Sequence, residues 1–303
     1  MGDTTYSWTL DAQFVISTIT VLCYGYILIV TMRSKSEAFQ SPFFLIFRFT
    51  GFCDIIGNFA VEWVRTDRKA GFGPPTEPFT RVMYTLTGVT FFTHLIGSLL
   101  MTLNRYTAVC FPWAYGKIWT RKNVYIMLVL NVIVSIAVHS QIFFIRLVYK
   151  RMANGWTDFG RDTQIPVVRA ISSCAAIIYG CVSVVLISRT VYVVLKVKNK
   201  SKRCQRKGLV IFVAVDCLLC SIDCVYETAD LFGLSAANVV FVWISDNVTL
   251  LLFLIFSINA YSMIFLCKEL RMEAFVPCRG KRHTTIATTT VVLSRASTTA
   301  SVS

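Results

Sequence analysis

Seven long apolar stretches divide this chain of 303 residues. Each is close to or above the roughly 20 residues that an α-helix needs to cross the hydrocarbon core of a bilayer. Only 15% of the residues are charged, whereas soluble domains are about a quarter charged. Because backbone groups in hydrocarbon must be paired within a segment or in a closed barrel, long runs without strand-like alternation predict helices.

The sequence therefore predicts an all-α membrane protein, a seven-transmembrane helix bundle. The predicted spans are residues 12–32, 42–63, 81–110, 124–145, 165–195, 208–231 and 239–266. The predicted organisation is an extracellular N-terminus (1–11), a seven-helix domain (12–266), a juxtamembrane amphipathic segment (267–283) and a disordered cytoplasmic tail (284–303).

The distribution of Lys and Arg predicts the orientation of the bundle. With the N-terminus outside, nineteen basic residues lie on the inner segments and nine on the outer segments. Cytoplasmic segments of membrane proteins carry an excess of these residues, so N-terminus outside and C-terminus cytoplasmic is favoured. The net charge of +14 is then explained by inner loops that face anionic membrane lipid, and no nucleic-acid partner is expected.

The third stretch ends in Asn104-Arg105-Tyr106. A helix that enters near Arg81 rises about 1.5 Å per residue and reaches Arg105 after about 36 Å, at the inner boundary of the membrane. An arginine at this place is either a snorkelling residue that marks the membrane edge or a switch that contacts a G protein in the active state.

The sequence after this tripeptide continues with Phe111-Pro112 and, at 115–119, Tyr-Gly-Lys-Ile-Trp. The run resembles the nematode serpentine chemoreceptors, particularly class gamma and the related class v, and the resemblance extends over residues 12 to about 275. It implies a rhodopsin-like receptor in the cell membrane, in sensory cilia. Such a receptor converts the binding of an extracellular small molecule or peptide into activation of a heterotrimeric G protein.

Several features depart from the general rhodopsin-like pattern. Asn104 replaces the usual acid before the arginine, and Asn259-Ala260-Tyr261 replaces Asn-Pro-x-x-Tyr. The sixth stretch lacks a Trp-x-Pro hinge, and no disulfide between the third helix and an outer loop is expected. The activation motion is therefore expected to differ in detail, because a helix without proline need not kink.

The third inner loop carries seven cations between residues 196 and 207. These cations favour a cytoplasmic position and would also attract anionic lipid and a G-protein surface. The residues predicted to take part in G-protein coupling or switching are Asn104, Arg105, Tyr106, Lys202, Arg203, Arg206 and Lys207.

A short amphipathic helix on the membrane is predicted after the seventh span, because Leu270, Ala274 and Phe275 fall on one side. Cys267 and Cys278 are candidate palmitoylation sites. In the tail, eleven of the twenty residues from 284 to 303 are Ser or Thr. That composition cannot form a core and suits phosphorylation by a receptor kinase followed by arrestin binding.

Polar residues inside the spans predict where a signal crosses the membrane. Asp54 lies about 18 Å above the inner end of its helix and His94 about 16 Å above Arg105, so the two share a depth. They either satisfy each other by a hydrogen bond or, by the resemblance to rhodopsin-like receptors, hold sodium near Asp54. The residues predicted for this intramembrane polar coupling are Asp54, His94, Asp216, Asn259 and Tyr261.

The sixth stretch carries Asp216, Cys220, Asp223, Glu227 and Asp230 at spacings of four, three, four and three residues. This spacing puts them on one helix face, which should point into the bundle because charge faces lipid at high cost. The face supplies either structural hydrogen bonds or a ligand cavity. The candidate ligand-pocket residues are Glu62, Asp223, Glu227 and Asp246.

Catalysis is not expected, because the sequence has no metal-ligand spacing, nucleophile elbow or phosphate-binding loop. No cofactor is expected either. The alternative from another class is a multi-pass transporter or channel that uses the acidic residues of the sixth helix as an ion path.

Overall fold

The computed structural model describes residues 12–152, 155–161, 166–196, 215–216, 218–222, 225, 228 and 239–275. In this part of the chain, six helices are long and apolar enough to cross a membrane. They correspond to the predicted spans except the sixth. That span, 208–231, lies largely outside the described residues, although the backbone at 215–216 and 218–222 is helical.

The helices are labelled here in chain order. The first three are α1 (Ala12–Arg33), α2 (Pro42–Ala70) and α3 (Glu77–Cys110). Next come the short α4 (Pro112–Ile118), then α5 (Arg121–His139) and α6 (Pro166–Lys196). The last are α7 (Val239–Asp246), α8 (Val248–Leu266) and α9 (Lys268–Phe275). Short 3-10 turns lie at Glu37–Gln40, Pro74–Thr76 and Ser140–Phe144.

Several predicted spans differ from the structure in their bounds, and α3 starts four residues earlier and α5 ends six residues earlier than predicted. The predicted end of the second span at residue 63 is wrong, because α2 continues to Ala70 and is capped by Gly71, whose φ of 64° is left-handed. The seventh span is split into α7 and α8 at Asn247. The Asn247 side-chain amide donates to the Trp243 carbonyl oxygen at 2.8 Å, the kind of local bond that competes with regular helix.

A β-hairpin lies between α5 and α6, so the prediction of an all-α fold is wrong in this segment. Strand β1 (Leu147–Met152) pairs antiparallel with β2 (Gly155–Arg161). Two acidic residues attach it to the bundle: the Tyr149 hydroxyl donates to Asp67 Oδ2 at 3.0 Å, and the Leu147 amide donates to Glu77 Oε1 at 3.1 Å. The hairpin therefore lies over the end of α2 and the start of α3, here called the hairpin end.

Helices α2 and α3 form the centre of the bundle. In each of these two helices, 56% of the most apolar 18 residues are buried, against 28% in the span that contains α5 and in α6. Gly97 of α3 allows the close approach, because a methyl group there would overlap the Thr50 hydroxyl oxygen of α2. Gly57 of α2 similarly lies against the Phe256 ring of α8.

An apolar cluster closes the Arg105 end of the bundle, where α1 ends, α2 begins and α3 ends. Trp119, which follows α4, is buried in this cluster, which also contains Phe43 and Leu270. The predicted helix after the seventh span is present as α9, but its Leu270 and Ala274 are buried against the protein. The Tyr26 hydroxyl of α1 also donates to the Ala274 carbonyl oxygen at 2.7 Å. The prediction that this apolar side rests on the membrane is therefore wrong for these two residues.

We expect Gly97→Ala to lower the free energy of unfolding by about 1 to 3 kcal/mol, because the added methyl group forces α2 and α3 apart. The matched control is Gly180→Ala in α6, where a methyl group meets no described atom within 4 Å. Thermal unfolding of the purified protein in detergent measures both. Equal melting temperatures for the two variants would contradict the close α2–α3 contact.

Candidate functional site

The carboxylate of Asp54 is the centre of a buried polar network. Its Oδ2 accepts hydrogen bonds from the Tyr24 hydroxyl at 2.9 Å and from Asn259 Nδ2 at 3.1 Å. Its Oδ1 lies 2.8 Å from His94 Nδ1. Each of these side chains is at most 2% exposed. The predicted contact between Asp54 and His94 is thus confirmed.

The second ring nitrogen of His94 extends the network toward the fifth and sixth predicted spans. His94 Nε2 lies 3.3 Å from Asp216 Oδ1 and 3.4 Å from the Ser98 hydroxyl. Asp216 Oδ2 accepts a hydrogen bond from the Tyr179 hydroxyl of α6. Asp216 and Cys220 are both 1% exposed, in agreement with a polar face that points into the bundle.

His94 lies between two carboxylates, with Nδ1 against Asp54 and Nε2 against Asp216. A ring nitrogen that carries hydrogen donates to the carboxylate that it faces, so the imidazole can bridge the two acids. The hydroxyl groups of Tyr24 and Tyr179 and the amide of Asn259 donate further hydrogen bonds to these acids, which buried charged groups need.

The network joins α1, α2, α3, α6, α8 and the helical turns around Asp216. Of the residues predicted for intramembrane coupling, Tyr261 lies apart: its hydroxyl pairs with Thr20 Oγ1 at 2.6 Å. The participation of Tyr24 and Tyr179 in the network was not predicted from the sequence. A tyrosine in an apolar run gives no signal of its own, because its hydroxyl becomes informative only when the facing acid is known.

These residues do not fit a sodium ion at Asp54. Sodium needs oxygen ligands, as hard cations generally do, but His94 places a ring nitrogen against Oδ1. Donor groups of Tyr24 and Asn259 already occupy Oδ2. Among the described residues, no cluster of His, Cys, Asp or Glu side chains is arranged to hold a metal ion.

At the Arg105 end, the partly buried Arg105 lies over an aromatic ring. Its guanidinium carbon is 3.8 Å from the centre of the Phe43 ring at the start of α2, close enough for a cation–π interaction. Arg105 lies about 8 Å before the end of α3. The neighbouring Tyr106 ring packs on the Phe111 ring with centroids 5.7 Å apart.

The residues after Arg105 fold back onto α3. The Trp119 indole N–H donates to Thr107 Oγ1 at 2.6 Å, and the Tyr115 hydroxyl donates to Asn104 Oδ1 at 3.4 Å. Asn104 is 1% exposed, and its Nδ2 has no hydrogen-bond partner among the described residues. The aromatic residues of the motif thus hold the segment that follows α3 against the helix. The other four predicted coupling residues lie outside the described residues: Lys202, Arg203, Arg206 and Lys207.

At the hairpin end, Glu62 is half-buried and already paired. Arg65 Nη2 lies 2.7 Å from Glu62 Oε2, whereas Oε1 is buried without a hydrogen-bond partner in the described part of the chain. Asp246 ends α7. Two other predicted pocket residues, Asp223 and Glu227, and the neighbouring Asp230 lie outside the described residues.

The remaining sequence predictions concern residues away from the network. His139 is satisfied as predicted, with Nδ1 3.0 Å from the Ser135 carbonyl oxygen and Nε2 3.4 Å from the Ser172 hydroxyl. Cys267 is partly buried between α8 and α9. Cys278 and residues 284–303 lie outside the described residues, so palmitoylation and tail phosphorylation stay predictions.

In a comparison with known protein families, one family model covers most of the chain. Residues 12–273 match the family model described as Srg family chemoreceptor. The matched region begins at the first residue of α1 and ends within α9, so it contains the polar network and the Arg105 end. A comparison with curated proteins finds no match.

We expect His94→Ala to lower the free energy of unfolding by about 3 to 5 kcal/mol, because it leaves two buried carboxylates without their shared partner. The matched control, His139→Ala, should cost about 1 to 3 kcal/mol, because His139 has only neutral partners. Thermal unfolding in detergent compares the two. A larger loss for His139→Ala would show that the carboxylates do not depend on His94.

Proposed function

Because the chain belongs to the Srg family of chemoreceptors, we propose that it couples the binding of an extracellular ligand to activation of a heterotrimeric G protein. The chain is a multi-pass membrane protein and, as a chemoreceptor, a receptor rather than an enzyme. The observation that carries the proposal is the buried network around Asp54 and His94, which connects five helices above an arginine at the end of α3.

The proposed orientation places the hairpin end outside the cell and the Arg105 end in the cytoplasm. The excess of Lys and Arg on the segments at the Arg105 end supports this orientation. The proposed location is the cell membrane of sensory cilia, by analogy with the serpentine chemoreceptors that the sequence resembles.

The proposed ligand site lies at the hairpin end. Glu62 Oε1 supports it, because a buried carboxylate oxygen without a partner among the described residues can accept a hydrogen bond from a ligand. Its neighbour Arg65 pairs with Oε2, which favours a ligand that brings donor groups over one that relies on positive charge alone. Asp223, Glu227 and Asp246 are the other proposed contacts with a small molecule or peptide.

The proposed signal passes through the Asp54 network. A ligand shifts the equilibrium between two arrangements of the bundle only by its difference in affinity for them. A buried network whose hydrogen bonds link several helices favours discrete arrangements, because it is costly to leave such a network partly satisfied. Movement of α6 or of the turns around Asp216 would therefore change the hydrogen bonds of Asp54 and the position of α8.

The proposed G-protein surface comprises the end of α3 and the third inner loop. In the inactive arrangement Arg105 rests on Phe43, and in the active arrangement it leaves this ring to contact the G protein. Asn104 and Tyr106 would accompany it, and Lys202, Arg203, Arg206 and Lys207 would attract the partner electrostatically. A receptor kinase and arrestin acting on the tail, and palmitoylation of Cys267 and Cys278, belong to the same proposal.

The family match favours a receptor over the transporter or channel considered from the sequence. Asp216, the described acidic residue of the sixth span, makes hydrogen bonds with Tyr179 and His94. An ion path would need acids that exchange partners with a moving ion, and flux through reconstituted vesicles would reveal it.

We expect Arg105→Ala to reduce ligand-driven nucleotide exchange on the G protein by about tenfold or more, because loss of a charged contact in an interface costs about 2 to 5 kcal/mol. A screen with a cytosolic calcium or cAMP readout first identifies a ligand. Exchange is then measured with purified receptor, ligand and G protein.

The matched control for this measurement is Arg33→Ala, which removes an exposed arginine at the same end of the bundle. Ligand binding should be similar in both variants, because Arg105 is far from the hairpin end. Unchanged exchange in Arg105→Ala would refute the switch role of Arg105. A ligand that binds without exchange on any G protein would refute the coupling itself.

We expect an epitope tag at the N-terminus to be stained on intact cells and a tag at the C-terminus only after permeabilisation. The reason is the excess of basic residues on the segments that this orientation places inside. A third tag inserted between the two strands of the hairpin, between residues 152 and 155, should be stained like the N-terminal tag. Staining of both chain ends from one side would contradict an odd number of membrane crossings.

A further inference from the structure

A groove of about 740 Å³ runs along the lipid-facing side of the bundle, between α1, α2 and α5. Its lining changes character along its length. Gln40, Arg48 and Tyr125 lie near the Arg105 end, and from there the lining is apolar as far as Phe52 on α2 and Ile133 on α5. The stretch from Tyr125 to Ile133 is about 12 Å long, enough for part of an acyl chain.

Arg48 is the unusual residue of this groove. It lies six residues after the start of α2, about 9 Å from that end of the helix, and it is partly exposed. Its Nε donates to the Phe44 carbonyl oxygen of its own helix at 3.2 Å, and it makes no ion pair with a carboxylate in the described part of the chain. A guanidinium has five N–H donors, and among the described residues only the Phe44 carbonyl oxygen accepts from Arg48, which leaves the other donors available to a ligand in the groove.

Among the described residues, the charged side chains that act on Arg48 or line its groove are basic. Arg121, an exposed residue at the start of α5, repels Arg48 electrostatically, and none of the described lining residues is acidic. The Arg48 guanidinium at one end of an apolar groove, with a second cation nearby, complements a phosphate group that carries an acyl chain. Such a site favours a lipid of net negative charge over a zwitterionic one.

We propose that this groove binds one anionic phospholipid of the leaflet at the Arg105 end. The phosphate is held by Arg48, with Gln40 and Tyr125 as further donors to headgroup or ester oxygens. One acyl chain lies along the apolar part between α2 and α5. The lipid supplies the counter-charge that Arg48 does not obtain from a described side chain, and it links α1, α2 and α5 from outside the bundle.

Native mass spectrometry of the full-length protein tests this proposal, with phosphatidylserine and phosphatidylcholine of identical acyl chains as probes. We expect phosphatidylserine to be retained about tenfold more strongly, as for a charge-assisted hydrogen bond, and Arg48→Gln to remove that preference. The matched control is Arg189→Gln. Arg189 is an exposed arginine of α6 that lies about as far from the Arg105 end as Arg48 does.

Two further measurements test whether the lipid occupies this groove rather than binding to the lipid-facing surface in general. Val129→Trp fills the groove without changing its charge and should weaken retention of both lipids. In the wild-type protein, a photoactivatable phosphatidylserine should label peptides of α1, α2 and α5. The proposal would be overturned if the wild type retained the two lipids equally, or if Arg48→Gln and Arg189→Gln lost the same amount of phosphatidylserine retention. Uniform labelling of all lipid-facing helices would overturn it as well.

Discussion

An ionisable side chain inside the hydrocarbon layer needs a partner, and the contacts among Asp54, His94 and Asp216 meet this need. Three titratable groups with at most 1% exposure would be very costly if they were separated. Because they come from α2, α3 and the helical turns around Asp216, their contacts also decide how these segments face each other. Tyr24, Tyr179 and Asn259 extend the same constraint to α1, α6 and α8.

The rest of the bundle is arranged around this network. Glycines at positions 57 and 97 let α2 approach α8 and α3 closely, while α1, α5 and α6 present large apolar side chains outward. Different contacts close the two ends of the bundle. Asp67 and Glu77 attach the β-hairpin at one end, and Trp119 with Leu270 fills the apolar cluster at the other.

Contacts could be predicted from the sequence where the distance along a helix was enough to place a residue. The shared depth of Asp54 and His94 follows from a fixed rise per residue, so their contact could be predicted from distances along two helices. Tyr261 is predicted to belong to the same group, but its hydroxyl pairs with Thr20 on α1. The extension of α2 to residue 70 was missed because charged residues continue the helix beyond the apolar run. The hairpin was missed because its short strands carry no long apolar run.

By itself the sequence determined that the chain has membrane-spanning stretches, that the long apolar stretches of the described part are helical, where the basic residues lie, and how far apart polar groups lie along each helix. These properties depend on hydropathy and on the regular rise of a hydrogen-bonded helix. Only the tertiary structure decided which polar groups meet, that Asp54 contacts Tyr24 and Asn259 as well as His94, and that α9 packs on the protein. Those outcomes depend on how each helix is rotated about its axis, which packing between helices sets and local sequence does not.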